Sequence, residues 1–336
     1  MAYHVYISNS GSEWFSHFLM DEQSGRLTPQ PDLTLEGTPG AVATNAAGTL
    51  LFASLRSMKC FGSYAVDRAS GALTPINTVA LQDGAPYLIT DKTDRFLLAA
   101  YYGSGHVSVH RIEQDGSLSA EPLQWIPTES HAHSIQTDPS NRFAFVPHTN
   151  PANAIYQFRF DATTGALAPN DPPKFQPATP EGPRHFVFHP RGDMLYSVNE
   201  NGSTVTAHHF DTSRGTLEAF QVVSTLPDGF AGDNTTAEIR ISPDGRFLYA
   251  SNRGHDSLAV FGVAGDGTLE LLDHTPTEPT PRFFALDPSG QFAYAVGQKS
   301  ARLAAYARDN QHGTLTPLET HEVGSGPLWI TFVRKS

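Results

Sequence analysis

Short apolar runs broken by tight turns make up this chain from end to end. The stretch around residue 250 shows the pattern well. Ser242-Pro243-Asp244-Gly245-Arg246 is a turn phrase, and the apolar run Phe247-Leu248-Tyr249-Ala250 follows it. Ser257-Leu258-Ala259-Val260-Phe261 is a second run, and Leu269-Glu270-Leu271-Leu272 is a third, more polar one. Runs of this length between proline, aspartate and glycine clusters predict strands joined by tight turns. No segment carries a convincing 3.6-residue apolar period, so helix should be scarce.

Two phrases repeat. Glycine, any residue, leucine occurs at Gly25, Gly71, Gly116, Gly165, Gly215, Gly267 and Gly313, at steps of 46, 45, 49, 50, 52 and 46 residues. The turn phrase occurs at Asp138-Pro139, His189-Pro190, Ser242-Pro243 and Asp287-Pro288, with weaker copies at Asn45-Ala46 and Asp91-Lys92. A period of this size with strand-rich content predicts an all-β, seven-bladed β-propeller with four antiparallel strands per blade. Naming the strands A to D from the inside, each turn joins A to B, and each glycine-leucine phrase precedes D. Seven glycine phrases stand against six turn phrases. The chain starts on a B-type strand, His4 to Ile7, and ends on an A-type strand, Gly326 to Val333. One blade is therefore expected to be closed by the C-terminal strand pairing with the N-terminal strands, leaving no free edge there. No linker or composition shift interrupts the pattern, so a single domain over 1–336 is expected.

Composition narrows the function. The formal net charge of −12 argues against a nucleic-acid or membrane partner. No apolar run reaches spanning length, and no leader is visible, so a cytoplasmic protein is expected. Cys60 is the only cysteine, which excludes an internal disulfide and fits a reducing compartment. No dinucleotide, P-loop or serine-elbow motif is present, so no cofactor is expected. Nothing points beyond a monomer or weak homodimer.

The repeat also works as a ruler. Just past strand B the seven periods carry Ser10, Arg56, Tyr102, Thr149, Glu200, Arg253 and Gln298. At the start of strand A they carry Gly40, Pro86, His133, Arg184, Ala237, Arg282 and Leu328. In a propeller these positions surround the channel mouth at one face. Structural repeat positions converge on one residue type, whereas these diverge and carry charge. Arg56, Arg184, Arg253, Arg282 and Glu200 would meet at the mouth, with His185 and Glu238 beside them and Lys299 next to Gln298. Arginine forks hold carboxylate or phosphate, and a carboxylate or imidazole beside them can activate water. An anionic small molecule is the expected partner.

Other signals read more plainly. His131-Ala132-His133 is an H-x-H on an early strand, where alternation would put both rings on one face. No companion ligand is evident, so no metal is expected and an acid–base or binding role for His133 is favoured. His208-His209 reads as structural, His148, His189 and His255 as turn or loop residues, and Cys60 as a buried inert thiol.

At His131-Ala132-His133-Ser134, Gly182-Pro183-Arg184-His185, Val198-Asn199-Glu200 and Ala237-Glu238-Ile239 the chain resembles the seven-bladed propeller lactonases. Ser251-Asn252-Arg253-Gly254, Thr280-Pro281-Arg282, Gly297-Gln298-Lys299-Ser300 and Gly324-Ser325-Gly326-Pro327-Leu328-Trp329 continue the likeness, which covers essentially the whole chain. That family includes bacterial 6-phosphogluconolactonases and fungal 3-carboxy-cis,cis-muconate cyclising enzymes. In the latter the proposed active site, carried over by motif, would fall on His133, Arg184, Arg253 and Glu200. Two stretches depart from the family pattern, Val146 to Pro151 and Asn201-Gly202 after Glu200. The resemblance implies metal-independent hydrolysis of an acidic or phosphorylated sugar lactone. Glu200 or His133 would be the general base, and Arg184 and Arg253 would hold the carbonyl oxygen. Arg56, Arg282 and Lys299 would hold phosphate or carboxylate, with Tyr102, His185, Glu238 and Gln298 as further binding residues. A muconate cycloisomerase and a non-catalytic propeller scaffold are the alternatives.

Overall fold

The structure, a computed structural model, describes residues 2–336, and among these no residue is helical. Two compact units divide the chain: Met1–Val146 with Phe158–Ala168 and Val323–Ser336, and Pro147–Gln157 with Pro169–Glu322.

Strands are numbered in chain order. The first unit holds β1 (Ala2–Asn9), β2 (Trp14–Asp21), β3 (Leu27–Thr34), β4 (Pro39–Thr44), β5 (Leu50–Leu55), β6 (Cys60–Val66) and β7 (Leu73–Ala80). It also holds β8 (Tyr87–Thr90), β9 (Phe96–Tyr101), β10 (His106–Arg111), β11 (Gln124–Pro127) and the last strand, β28 (Pro327–Arg334). Next come β12 (Gln136–Thr137), β13 (Phe143–His148), β14 (Ala154–Asp161) and β15 (Ala166–Phe175). The second unit carries β16 (Pro183–Phe188), β17 (Met194–Asn199), β18 (Thr204–Asp211), β19 (Thr216–Ser224), β20 (Thr235–Ile241) and β21 (Phe247–Arg253). It continues with β22 (Ser257–Val263), β23 (Leu269–Pro276), β24 (Pro281–Leu286), β25 (Phe292–Gly297), β26 (Arg302–Arg308) and β27 (Leu315–Glu322). Seven sheets of four strands result, the strand content of a seven-bladed propeller. Six follow chain order, and the seventh runs β28-β1-β2-β3. The C-terminal strand thus completes the N-terminal sheet, with Tyr6 opposite Thr331 and Ile7 opposite Ile330.

Inner strands are buried on both faces, which is why they read as nearly continuous apolar runs. Along β21, Leu248 and Ala250 pack with Tyr196 and Val198 of the preceding sheet and with Ile239 of the adjoining β20. Phe247 and Tyr249 point the other way, into Phe284, Ala293 and Ala295 of the following sheet. A period of two thus feeds two cores from one strand. Turn phrases are capped by their first residue. Asp91, Asp138 and Asp287 each accept, through Oδ1, the backbone N–H that opens strand B, at 3.0, 2.8 and 2.8 Å. Ser242 Oγ does the same for Phe247, at 3.0 Å.

Glycine-leucine phrases turn out to join sheets as well as strands. All seven glycines have φ between 67° and 88°, the left-handed region where a side chain is strained. At three of them the carbonyl accepts a tyrosine hydroxyl from the preceding sheet: Tyr6 to Gly71 at 2.9 Å, Tyr196 to Gly267 at 3.0 Å and Tyr249 to Gly313 at 2.7 Å.

Two sequence expectations need correction. His131 lies in a turn at φ 66° and His133 in an irregular segment ahead of the two-residue strand β12, so strand alternation does not align their rings. The reversal brings both rings onto Tyr102 instead. His131 stacks on it with centroids 4.2 Å apart, and His133 meets it edge-on at 5.7 Å. His148 is no loop residue: it ends β13 and is fully buried. Cys60 is buried as expected, and burial, then Glu36, raises its thiol pKa.

Candidate active site

Both ruler positions fall at the same end of each sheet. Glu200 immediately follows β17, Arg253 ends β21, and Gln298 and Lys299 follow β25. On the facing strands, Arg184 is the second residue of β16 and Arg282 the second of β24. Register shifts accompany them. Pro183 pairs Asn199 while His185 pairs Val198, so Arg184 is one residue too many for its partner strand. Arg282 is likewise the extra residue between Pro281 and Phe283. The same irregularity recurs between Pro39 and Val42, between Thr236 and Ile239, and opposite Ser8 and Asn9. A β-bulge breaks the two-residue alternation and re-aims a side chain. Here it turns Arg184 toward Glu200.

The second unit assembles a charged cluster. Arg184 Nε donates to Glu200 Oε2 at 2.8 Å, and Arg253 Nη2 approaches the same oxygen at 3.4 Å. Arg253 Nη2 also donates to the Thr236 carbonyl at 2.8 Å, while its Nε is buried with no hydrogen-bond partner. Arg184 is buried, and its Nη1 donates to the Ala237 carbonyl and meets His185 Nε2 at 3.3 Å. His185 Nδ1 lies 2.9 Å from Glu238 Oε2. Glu238 Oε1 accepts from Arg240 Nη1 at 2.7 Å and from the Ile239 N–H at 3.0 Å.

Burial separates a front from a back. Glu200 is 22% exposed and Arg253 11%, against 3% for Arg184 and His185 and none for Glu238. A cleft of about 710 Å³ opens beside Arg253, lined also by Asn234, Thr235, Thr280 and the exposed Lys299, with Asp233 and Asp256 opposite in charge. Arg253 and Lys299 border this cleft, the partly exposed Glu200 pairs with Arg253, and the buried Glu238 and His185 stand behind them.

Electrostatics follow the same division. Burial alone would raise the Glu200 carboxyl, but Arg184, then Arg253 and Arg282, outweigh it and hold its pKa below the usual carboxylate range. Burial, then repulsion from Arg282, lowers the Arg184 pKa; the guanidinium remains cationic at neutral pH. His185 is pushed well below an ordinary imidazole by burial first and by Arg184, Arg240, Arg282 and Arg253 next, so it is neutral. Burial raises the Glu238 pKa, with Arg240 acting against it.

The remaining candidates lie in the first unit. His133 is buried and Tyr102 half-buried, in contact as described, and Arg56 is exposed just after β5. Arg240 was not anticipated from the sequence. It pairs with Glu238 and lies over the Phe283 ring at 5.0 Å. Its signal was present, since residues two apart on β20 share a face. Among the described residues, no three histidine, cysteine, aspartate or glutamate side chains gather as metal ligands do.

Similarity to known proteins agrees with this fold. Residues 3–332 match the family model described as Lactonase, 7-bladed beta-propeller. A 6-phosphogluconolactonase of Pectobacterium carotovorum is 34% identical over 330 residues, 97% of each chain. One from Sodalis glossinidius is 32% identical, covering 98% of this chain and 99% of its own. The solved periplasmic gluconolactonase of Pseudomonas aeruginosa is 27% identical, with a TM-score of 0.91 over 100% of both chains. By its length-spanning match and these relatives, the chain belongs to the seven-bladed β-propeller lactonase family.

Proposed function

We propose that this protein hydrolyses the lactone of an acidic sugar, with 6-phosphogluconolactone as its substrate. The observation that carries the reading is one carboxylate, Glu200, held by two arginines, of which Arg253 lines a cleft together with Lys299. The Pectobacterium and Sodalis relatives support the substrate. Arg253, more exposed than Arg184 and bordering the cleft, binds the lactone carbonyl oxygen and stabilises the oxyanion. Glu200 takes a proton from water as its oxygen adds to the carbonyl carbon. The proton then goes to the ring oxygen as the carbon–oxygen bond breaks, and the product acid ionises. Arg184 keeps Glu200 in place, while Arg282 and Lys299 draw the anionic end of the substrate.

The test is pH-stat hydrolysis of phosphorylated and unphosphorylated aldonolactones, corrected for spontaneous opening. A base held by three arginines stays ionised below the normal carboxylate range. kcat/KM therefore holds level as pH falls to the ordinary carboxylate range, and Glu200→Gln costs about 10²- to 10⁴-fold in kcat. An acid limb near the ordinary imidazole value of about 6.5, with the large loss in His133→Ala instead, assigns the base to His133. No hydrolysis of any lactone above background removes the reading. We also propose a single cytoplasmic propeller domain, monomeric or weakly dimeric, checked by cell fractionation and light scattering.

A further inference from the structure

Behind the Glu200 cluster runs a continuous buried chain of polar groups from β20 to β16. Arg240 Nη1 donates to Glu238 Oε1, Glu238 Oε2 meets His185 Nδ1, His185 Nε2 meets Arg184 Nη1, and Arg184 Nε reaches Glu200. Glu238 and His185 are buried and offer a ligand almost no surface. A buried carboxylate is costly unless fully hydrogen-bonded. Glu238 has the donors it needs: Arg240, the Ile239 N–H and His185.

We infer that Glu238 and His185 are positioning residues, which lock His185 in one tautomer and through it fix the orientation of Arg184 toward Glu200. Donor and acceptor chemistry determines the tautomer. A guanidinium has only donors, so His185 Nε2 must accept from Arg184. Glu238 has only acceptors when ionised, so His185 Nδ1 must carry the proton. One imidazole proton thus transmits the charge of Glu238 to the placement of Arg184. The Ala237 carbonyl, next to Glu238 on the bulged start of β20, takes a further N–H of Arg184 Nη1. The Nε–Nη1 edge of Arg184 is thereby held by Glu200, His185 and Ala237, so its angle to the reacting carboxylate is fixed before substrate arrives.

Glu238→Gln probes the inference with little change of shape. An amide nitrogen facing His185 inverts the tautomer and sets two donors against each other at Arg184; the flipped amide sets donors against Arg240 and Ile239. Nitrogen NMR of the histidine-labelled protein is expected to show His185 with the proton on Nδ1 from about pH 5 to about pH 8, and on Nε2 in Glu238→Gln. The Arg184 Nε–H signal, sharp in the wild type, broadens in the variant. kcat falls by about 10²-fold with KM within about threefold. His185→Ala repeats the loss. His185→Gln, which can accept from Arg184 and donate to Glu238 at once, recovers at least about tenfold of it. Should Glu238→Gln not fold, the His185 pair decides alone. A wild-type proton on Nε2 overturns the inference. So does a folded Glu238→Gln or His185→Ala with kcat within about twofold of wild type, or a His185→Gln no better than His185→Ala. The inference rests on the lactonase reading for its kinetic arm only. If the wild type opens no lactone, that reading fails, while the tautomer and the Arg184 signal still decide this one.

Discussion

At the scale of single residues, one contrast carries most of the chemistry: Arg184 and Arg253 bind the same oxygen of Glu200 but differ in burial. Arg184 is enclosed by backbone and histidine, so its fork serves the protein. Arg253 borders the cleft, and in the proposed reaction its fork serves the ligand. Lysine keeps the charge of Arg253 but not the planar fork. Arg253→Lys is therefore expected to lower kcat/KM by about 10²-fold, read from initial rates on 6-phosphogluconolactone. Lys299 is exposed on the same cleft, and Asp233 and Asp256 offset the basic groups there. With that balance, removing one cation matters for a doubly charged phosphate and little for a neutral sugar. Lys299→Ala should raise KM about tenfold for the phosphorylated lactone and leave gluconolactone within about twofold. Equal effects on both would take the phosphate away from Lys299. The repeat ruler found Arg184, Glu200, Arg253 and Arg282 because their positions break a consensus. It marked His185 and Glu238 as neighbours but placed them among the binding residues, since sequence adjacency says nothing of depth. Arg240 escaped because its partner is two positions back on the same strand and its consequence lies in the preceding sheet.

Elements explain how those residues come to point where they do. Strand A begins with a bulge in five sheets, opposite Ser8–Asn9 and at Pro39, Pro183, Thr236 and Pro281. A regular strand would alternate Arg184 and His185 to opposite faces; the extra residue lets both join one network. The glycine-leucine phrase is the matching device between sheets. At Gly71, φ is +81°, and an added Cβ would run into the His4 and His17 rings. Gly192 has nearly the same φ, +80°, but nothing within 4 Å of such a Cβ. Alanine at Gly192 should cost about 1–2 kcal/mol from backbone strain alone. At Gly71 overpacking adds about 1–3 kcal/mol. Denaturant melts of the two variants test this, and equal losses would show that the contact to His4 and His17 does not matter. The strands themselves were legible from apolar runs and turn residues. The bulges were not, because proline, glycine and arginine at a strand start fit an ordinary turn equally well.

For the whole molecule, several histidines are held neutral. Burial lowers His17 to about 4, with His4 adding to the effect, and lowers His208 to about 3. His4 and His110 are lowered by burial too, and His185 lies well below the ordinary value. Unfolded, each titrates near about 6.5, so below that pH the unfolded chain binds more protons than the native one. Stability is then complete above about pH 6.5 and is lost as pH falls toward the native values. The melting temperature should stay level between about pH 7 and 8 and drop on the order of 10 °C by about pH 4.5 at constant ionic strength. A level profile to pH 4.5 would mean these histidines titrate freely. Strand number, the split first sheet and the candidate residues at strand ends were determined by the sequence itself, because a repeat imposes the same local solution seven times and makes departures visible. Which of those residues touch, which are enclosed and which face the cleft was decided only by tertiary structure. Those properties depend on two consecutive sheets, β16–β19 and β20–β23, meeting at Glu200, and on a one-residue bulge that redirects Arg184. Local periodicity carries no record of either.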